Sequence, residues 1–135
     1  MLYLPDTNVW IQHLNPAPSI AKTKLSSHSP AQIVLCDVVK AELYYGAYKS
    51  ARREANLAVL ATLFAGFGSL PFDGEAARIS GEIRANLARK GTPIGPYDLQ
   101  IAAIALANGC VLATHNIGEF SRIAGLKLED WEVEK

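Results

Sequence analysis

The sequence predicts an α/β fold built on a parallel sheet. Two observations carry this. Short apolar runs alternate along the chain with longer stretches of helical periodicity. The turn and capping residues between them fall where strands pass into helices. The 135 residues are half hydrophobic and only 19% charged, the balance of one folded domain with its own core. No repeat, linker or low-complexity tract divides the chain, so residues 1–135 read as a single domain.

The elements follow in order. Leu2–Pro5 is a short apolar run ending at Asp6 and reads as a buried strand. After the breaker cluster Asn15-Pro16-Ala17-Pro18-Ser19, a short basic helix is expected over residues 20–27. Gln32–Cys36 is the second strand, and Asp37 stands where a cap opens a helix through Val38–Lys49. A helix over residues 51–65 carries the stripe Leu57, Leu60, Leu63 and Phe64. Ser69–Pro71 is a brief third strand. Asp73 caps a helix with Ala76, Ile79, Ile83 and Leu87 on one face and Gly91 beyond its end. Gly95-Pro96 leads into a helix from Tyr97 to Asn108, Val111–Thr114 is the fourth strand, and Lys127–Glu129 is a candidate fifth.

The charge is formally neutral, which excludes neither a nucleic acid nor a protein partner. Because Glu129, Asp130, Glu132 and Glu134 crowd the C-terminal tail, the rest of the chain is net basic. The N-terminus lacks the basic and long apolar regions of a signal peptide, and no apolar run is long enough to span a bilayer. A soluble cytoplasmic protein without membrane partners is expected. Cys36 and Cys110 lie in apolar stretches and show neither zinc-site nor redox-pair spacing.

Three carboxylates stand out. Asp6 directly follows a strand, where α/β folds place ligands. Glu42 is the only acid between Val38 and Tyr48, and Asp98 precedes the apolar run Leu99–Ala105. Each has an ordinary structural explanation as a cap, a solvated residue or a helix-dipole partner. Together, and without a matching set of lysines or histidines beside them, they form a set that repels itself unless a hard divalent cation, Mg²⁺ or Mn²⁺, neutralises it. That points to phosphoryl chemistry. Asn116, after the fourth strand, and Glu119 are alternative candidates to complete the site. His115 lies beside them. Trp10, Tyr44, Tyr45 and Tyr48 are candidates to stack on the bases of a single-stranded nucleic acid or to serve as core and dimer contacts. Lys40, Lys49, Arg52 and Arg53, and Arg84, Arg89 and Lys90, are two basic groups suited to a phosphate backbone or to plain solvation.

Four segments resemble the motifs of PIN-domain nucleases. They are Leu4-Pro5-Asp6-Thr7-Asn8-Val9, Val39-Lys40-Ala41-Glu42-Leu43-Tyr44-Tyr45-Gly46, the run from Pro93 through Asp98 to Ala103, and Ala113-Thr114-His115-Asn116-Ile117-Gly118-Glu119-Phe120. The likeness is closest to the VapC toxins of type II toxin–antitoxin systems. It implies a three-layer fold with a parallel sheet of about five strands in the order 3-2-1-4-5. It further implies a Mg²⁺- or Mn²⁺-dependent endoribonuclease, a VapB-type antitoxin partner and a homodimer. Asp6 and Asp98 match the family's main metal ligands and Glu42 its middle acid. Where many relatives carry aspartate, this chain has Asn116, which supplies an oxygen but no charge. Two other readings remain at this point: a degenerate domain that only binds a partner, and a Mg²⁺ phosphatase on another α/β fold.

Overall fold

A computed structural model describes residues 1–134. Five three-residue strands alternate with helices: β1 (Tyr3–Pro5), β2 (Val34–Cys36), β3 (Gly68–Leu70), β4 (Val111–Ala113) and β5 (Lys127–Glu129). The helices are α1 (Thr7–Leu14), α2 (Ile20–Ser26), α3 (Asp37–Lys49), α4 (Arg53–Ala65), α5 (Gly74–Arg89), α6 (Pro96–Asn108) and α7 (Ile117–Phe120).

All strand pairs are parallel, as expected for strands joined by helices. The expected continuous order 3-2-1-4-5 needs one correction. The ladders are β1-β4-β5 and β2-β3, and one parallel bridge, Tyr3 with Ile33, joins β1 to the chain entering β2. Each strand is three residues long, and pairing at that junction is limited to this one bridge. The central strands are buried: Leu4, Leu35, Cys36, Leu112 and Ala113 are inaccessible to solvent. The outer strands are polar, with exposed Gly68 and Ser69 in β3 and exposed Lys127 and Glu129 in β5, which keeps sheet edges from pairing further.

Helix α6 is the central helix. Leu99 and the whole run Ile101–Ala105 are buried, so it is apolar nearly all round, and it packs on α5. Gly109 ends it in the left-handed conformation at φ 64°, which turns the chain directly into β4. Asp73 caps α5 as expected, accepting from the Ala76 amide at 2.9 Å. The expected cap at Asp37 shifts by one residue. Cys36 occupies the cap position, and Asp37 lies in the first turn of α3, where its charge favours the helix dipole.

Helix α1 was not legible as a helix, since its opening Thr7-Asn8 has low helix propensity. It forms because Asp6 caps it and because Val9 and Trp10 bury completely. Trp10 is therefore no candidate for stacking on RNA. Its indole N–H donates to the Pro5 carbonyl at 3.1 Å and its ring meets Phe67 edge-on. Cys36 and Cys110 are free and buried, and burial pushes the Cys36 thiol up to about 11. Among the described residues, no helix is long and apolar enough to cross a membrane.

Candidate functional site

The site lies beyond the carboxyl ends of β1 and β4, which are neighbours in one ladder. At the end of β1 the chain turns into α1, and Asp6 holds both jobs that its position allows. Its Oδ1 accepts from the Val9 amide at 3.1 Å as the cap of α1, and its Oδ2 accepts from the Thr114 hydroxyl at 2.5 Å. Thr114 follows β4 and is fully buried. Its hydroxyl donates to Asp6 and accepts from the Asn116 amide at 3.0 Å, so both its bonding directions are used. From α1, the Thr7 hydroxyl donates to Glu42 Oε1 on α3 at 2.6 Å.

These residues converge. A cleft of about 260 Å³ is lined by Asp6, Thr7, Glu42, Asp98 and Asn116, with Asn8, Ile11 and Phe120 beside them. Asp98 enters from the first turn of α6. Glu119 does not line the cleft, but its charge reaches Asp98. Burial raises the Asp98 carboxyl to about 6, and repulsion from Glu119, Asp6 and Glu42 adds to the rise. Burial likewise raises Asp6. The bonds from Thr114 and Val9 oppose that shift, and the charges of Glu132 and Glu42 reinforce it. Glu132, in the C-terminal tail, is the participant that sequence reasoning missed. The tail acids were visible as a cluster, but nothing in their spacing says that one of them faces Asp6.

Among the described residues, no lysine or arginine forms an ion pair with these acids. The donors are all carboxylate, hydroxyl and amide oxygens, the set that hard divalent cations select. As the side chains stand, no three His, Cys, Asp or Glu groups among the described residues are close enough to enclose an ion. The fit is thus one of donor chemistry and of a shared cleft. His115 turns away from the cleft, its Nδ1 3.1 Å from Asp130 Oδ2, with the side chain 61% exposed.

A parallel sheet with acids converging at its carboxyl end, and no ion-paired lysine or arginine among the described residues to balance them, defines an acid-cleft α/β protein. Comparison with known proteins makes this particular. The PIN domain family matches residues 3–126. The chain is 40% identical over 129 residues to the tRNA(fMet)-specific endonuclease VapC of Salmonella typhimurium, covering 96% of this chain and 97% of the relative. It is 35% identical over 133 residues to ribonuclease VapC2 of Rickettsia felis, covering 98% and 99%. The DNA-bound VapBC structure from Salmonella typhimurium superposes with a TM-score of 0.88 over 97% of this chain and 99% of that one, at 40% identity. The chain belongs to the PIN-domain family, among the VapC ribonucleases. The phosphatase reading on a different fold is thereby set aside.

Proposed function

We propose that this chain is the endoribonuclease toxin of a VapBC-type pair, hydrolysing RNA phosphodiester bonds with Mg²⁺ or Mn²⁺. One observation carries the proposal: Asp6, Glu42, Asp98 and Asn116 share one cleft, Glu119 acts on it electrostatically, and among the described residues no basic side chain forms an ion pair with any of them. Asp6 and Asp98 are the main ligands and Glu42 the third, with Asn116 or Glu119 completing the site; of these two, Asn116 lines the cleft. A divalent ion held there supplies positive charge for the phosphate oxygens and acidifies the attacking water.

The chain's own residues do the positioning. Thr114 fixes one oxygen of Asp6 and the α1 backbone fixes the other, so this carboxylate is held before any substrate arrives. Thr7 orients Glu42 in the same way. The relatives named for tRNA(fMet) make a structured RNA with an unpaired loop the proposed substrate class. Solved relatives are VapBC structures, which supports a VapB-type antitoxin as partner, and a homodimer is proposed from the family resemblance.

The test is cleavage of a total tRNA pool by the purified, antitoxin-free chain with Mg²⁺, with Mn²⁺ and with EDTA, beside Asp98→Ala. Cleavage that needs the metal and is lost in Asp98→Ala is expected. Inertness with both metals would overturn the enzymatic reading, and cleavage surviving in Asp98→Ala would overturn the site.

A further inference from the structure

A second, larger groove of about 730 Å³ opens from the acid cleft, and the two share Thr7, Ile11 and Glu42. Its character is different. Tyr45 from α3 and Tyr97 from α6 line it, and both are unusually open for aromatic residues, at 66% and 59% exposure. Lys49 also lines the groove, with its ammonium 5.0 Å from the centre of the Tyr45 ring. Gln100 and Asp37 add donors and acceptors along the same lining. Gly46 lies inside α3, where glycine is less favourable than alanine because it loses more backbone freedom on folding. A Cβ there would meet nothing within 4 Å, so packing does not demand the glycine. Its effect is to keep the groove open.

We infer that this groove is a binding site for an unpaired nucleobase of the RNA, seated beside the phosphate that the acid cleft attacks. The inference rests on the ribonuclease reading above and specifies its substrate: single-stranded RNA, held by a base. Continuity with the acid cleft puts any occupant next to the reacting phosphate. The chemistry fits a base in particular. Aromatic faces stack on every base, Gln100 and Asp37 can meet its polar edge, and Lys49 can meet the backbone charge. A duplex presents no free base face and is excluded from such a groove.

The experiment uses the whole chain and a short unstructured oligoribonucleotide carrying 2-aminopurine, whose fluorescence is quenched on stacking. Stopped-flow mixing with Mg²⁺ reads the quench before turnover, and cleavage of the same RNA is followed separately. The wild type is expected to quench the single strand and not the same sequence in a duplex. Tyr45→Ala and Tyr97→Ala are expected to weaken binding by about fivefold to a hundredfold, mainly in KM, while Tyr45→Phe and Tyr97→Phe keep it. Gly46→Leu fills the groove without removing an aromatic ring and is expected to behave like the alanine variants. Both tyrosines are exposed, so thermal unfolding should be unchanged. No quench by the wild type, or quench and KM unaltered in the alanine and Gly46→Leu variants, overturns the inference. So does a loss of antitoxin affinity with RNA binding intact, which would make the groove a protein-docking site. Quenching that depends on Tyr45 and Tyr97 in a wild type that cleaves nothing would uphold the base site while sinking the ribonuclease reading.

Discussion

The two sides of the acid cleft are built differently. On the β1 side, Asp6 is fixed through both oxygens and Glu42 through one, by Thr114, the α1 backbone and Thr7. On the α6 side, no hydrogen bond among the described residues holds the Asp98 carboxylate, and the side chains of Asn116 and Glu119 are equally free. Asp98 is also the acid whose pKa burial, and after it the neighbouring charges, raises to about 6. The lesson is a division of labour. One side is set by folding, and the other is left strained by like charges until something positive draws it in. Such strain is a common mark of a working site.

Removing a carboxylate from either side should show the largest effect. Asp6→Asn and Asp98→Asn are each expected to lower kcat/KM for RNA cleavage by about 10³-fold or more, measured under single-turnover conditions with Mg²⁺. The comparison sharpens in what else they change. Asp6→Asn keeps a capping oxygen for α1, so circular dichroism should report an intact helix content.

The supports come next. Thr114→Val removes a fully buried hydroxyl that serves both Asp6 and the Asn116 amide, and should cost about 10–100-fold in Mg²⁺ affinity by calorimetry or in cleavage rate. Thr7→Val removes one bond to Glu42 and should cost about tenfold or less. Equal losses in the two would break the claim that the β1 side is organised around Asp6.

Smaller effects probe the open side. Glu119 is the first of the charges that raise Asp98. Glu119→Gln should therefore bring the Asp98 carboxyl back toward its ordinary range, as read by carbon-detected NMR titration of the metal-free protein. An unmoved Asp98 would show that Glu119 plays no electrostatic part. The last prediction concerns stability. A carboxyl raised from 3.8 to about 6 binds its proton more tightly in the folded state, so its contribution is fully present below pH 3.8 and is lost as pH rises through about 6. Relative to Asp98→Asn, the metal-free wild type should lose about 1 kcal/mol across that window, a figure reduced for solvent screening of a half-exposed group. Urea unfolding at a series of pH values measures it, and added Mg²⁺ should remove the difference.

Much of this was open to reading along the chain, because it depends on local chemistry. Period and capping residues placed most of the elements, and Asp6 was recognisable as a strand-end acid. The misses have physical causes. Helix α1 follows from tertiary burial of Val9 and Trp10 and from a cap that the sequence offered for two roles at once. The junction between β1 and β2 is a single bridge between short strands, and no periodicity records which strands pair.

By itself the sequence determined the residue types: Asp6 after a strand, Asp98 in the first turn of a helix and Glu42 within one, all oxygen donors, without a matching set of basic residues beside them. The tertiary structure decided which of them meet. Thr114 reaches Asp6 across 108 positions and Thr7 reaches Glu42 across 35. Glu119 and Glu132 act on Asp98 and Asp6 through space. Hydrogen bonds and charge repulsion depend on distance in the folded chain. Spacing along the sequence fixes that distance only within one helix or strand, and every one of these pairs joins two different elements.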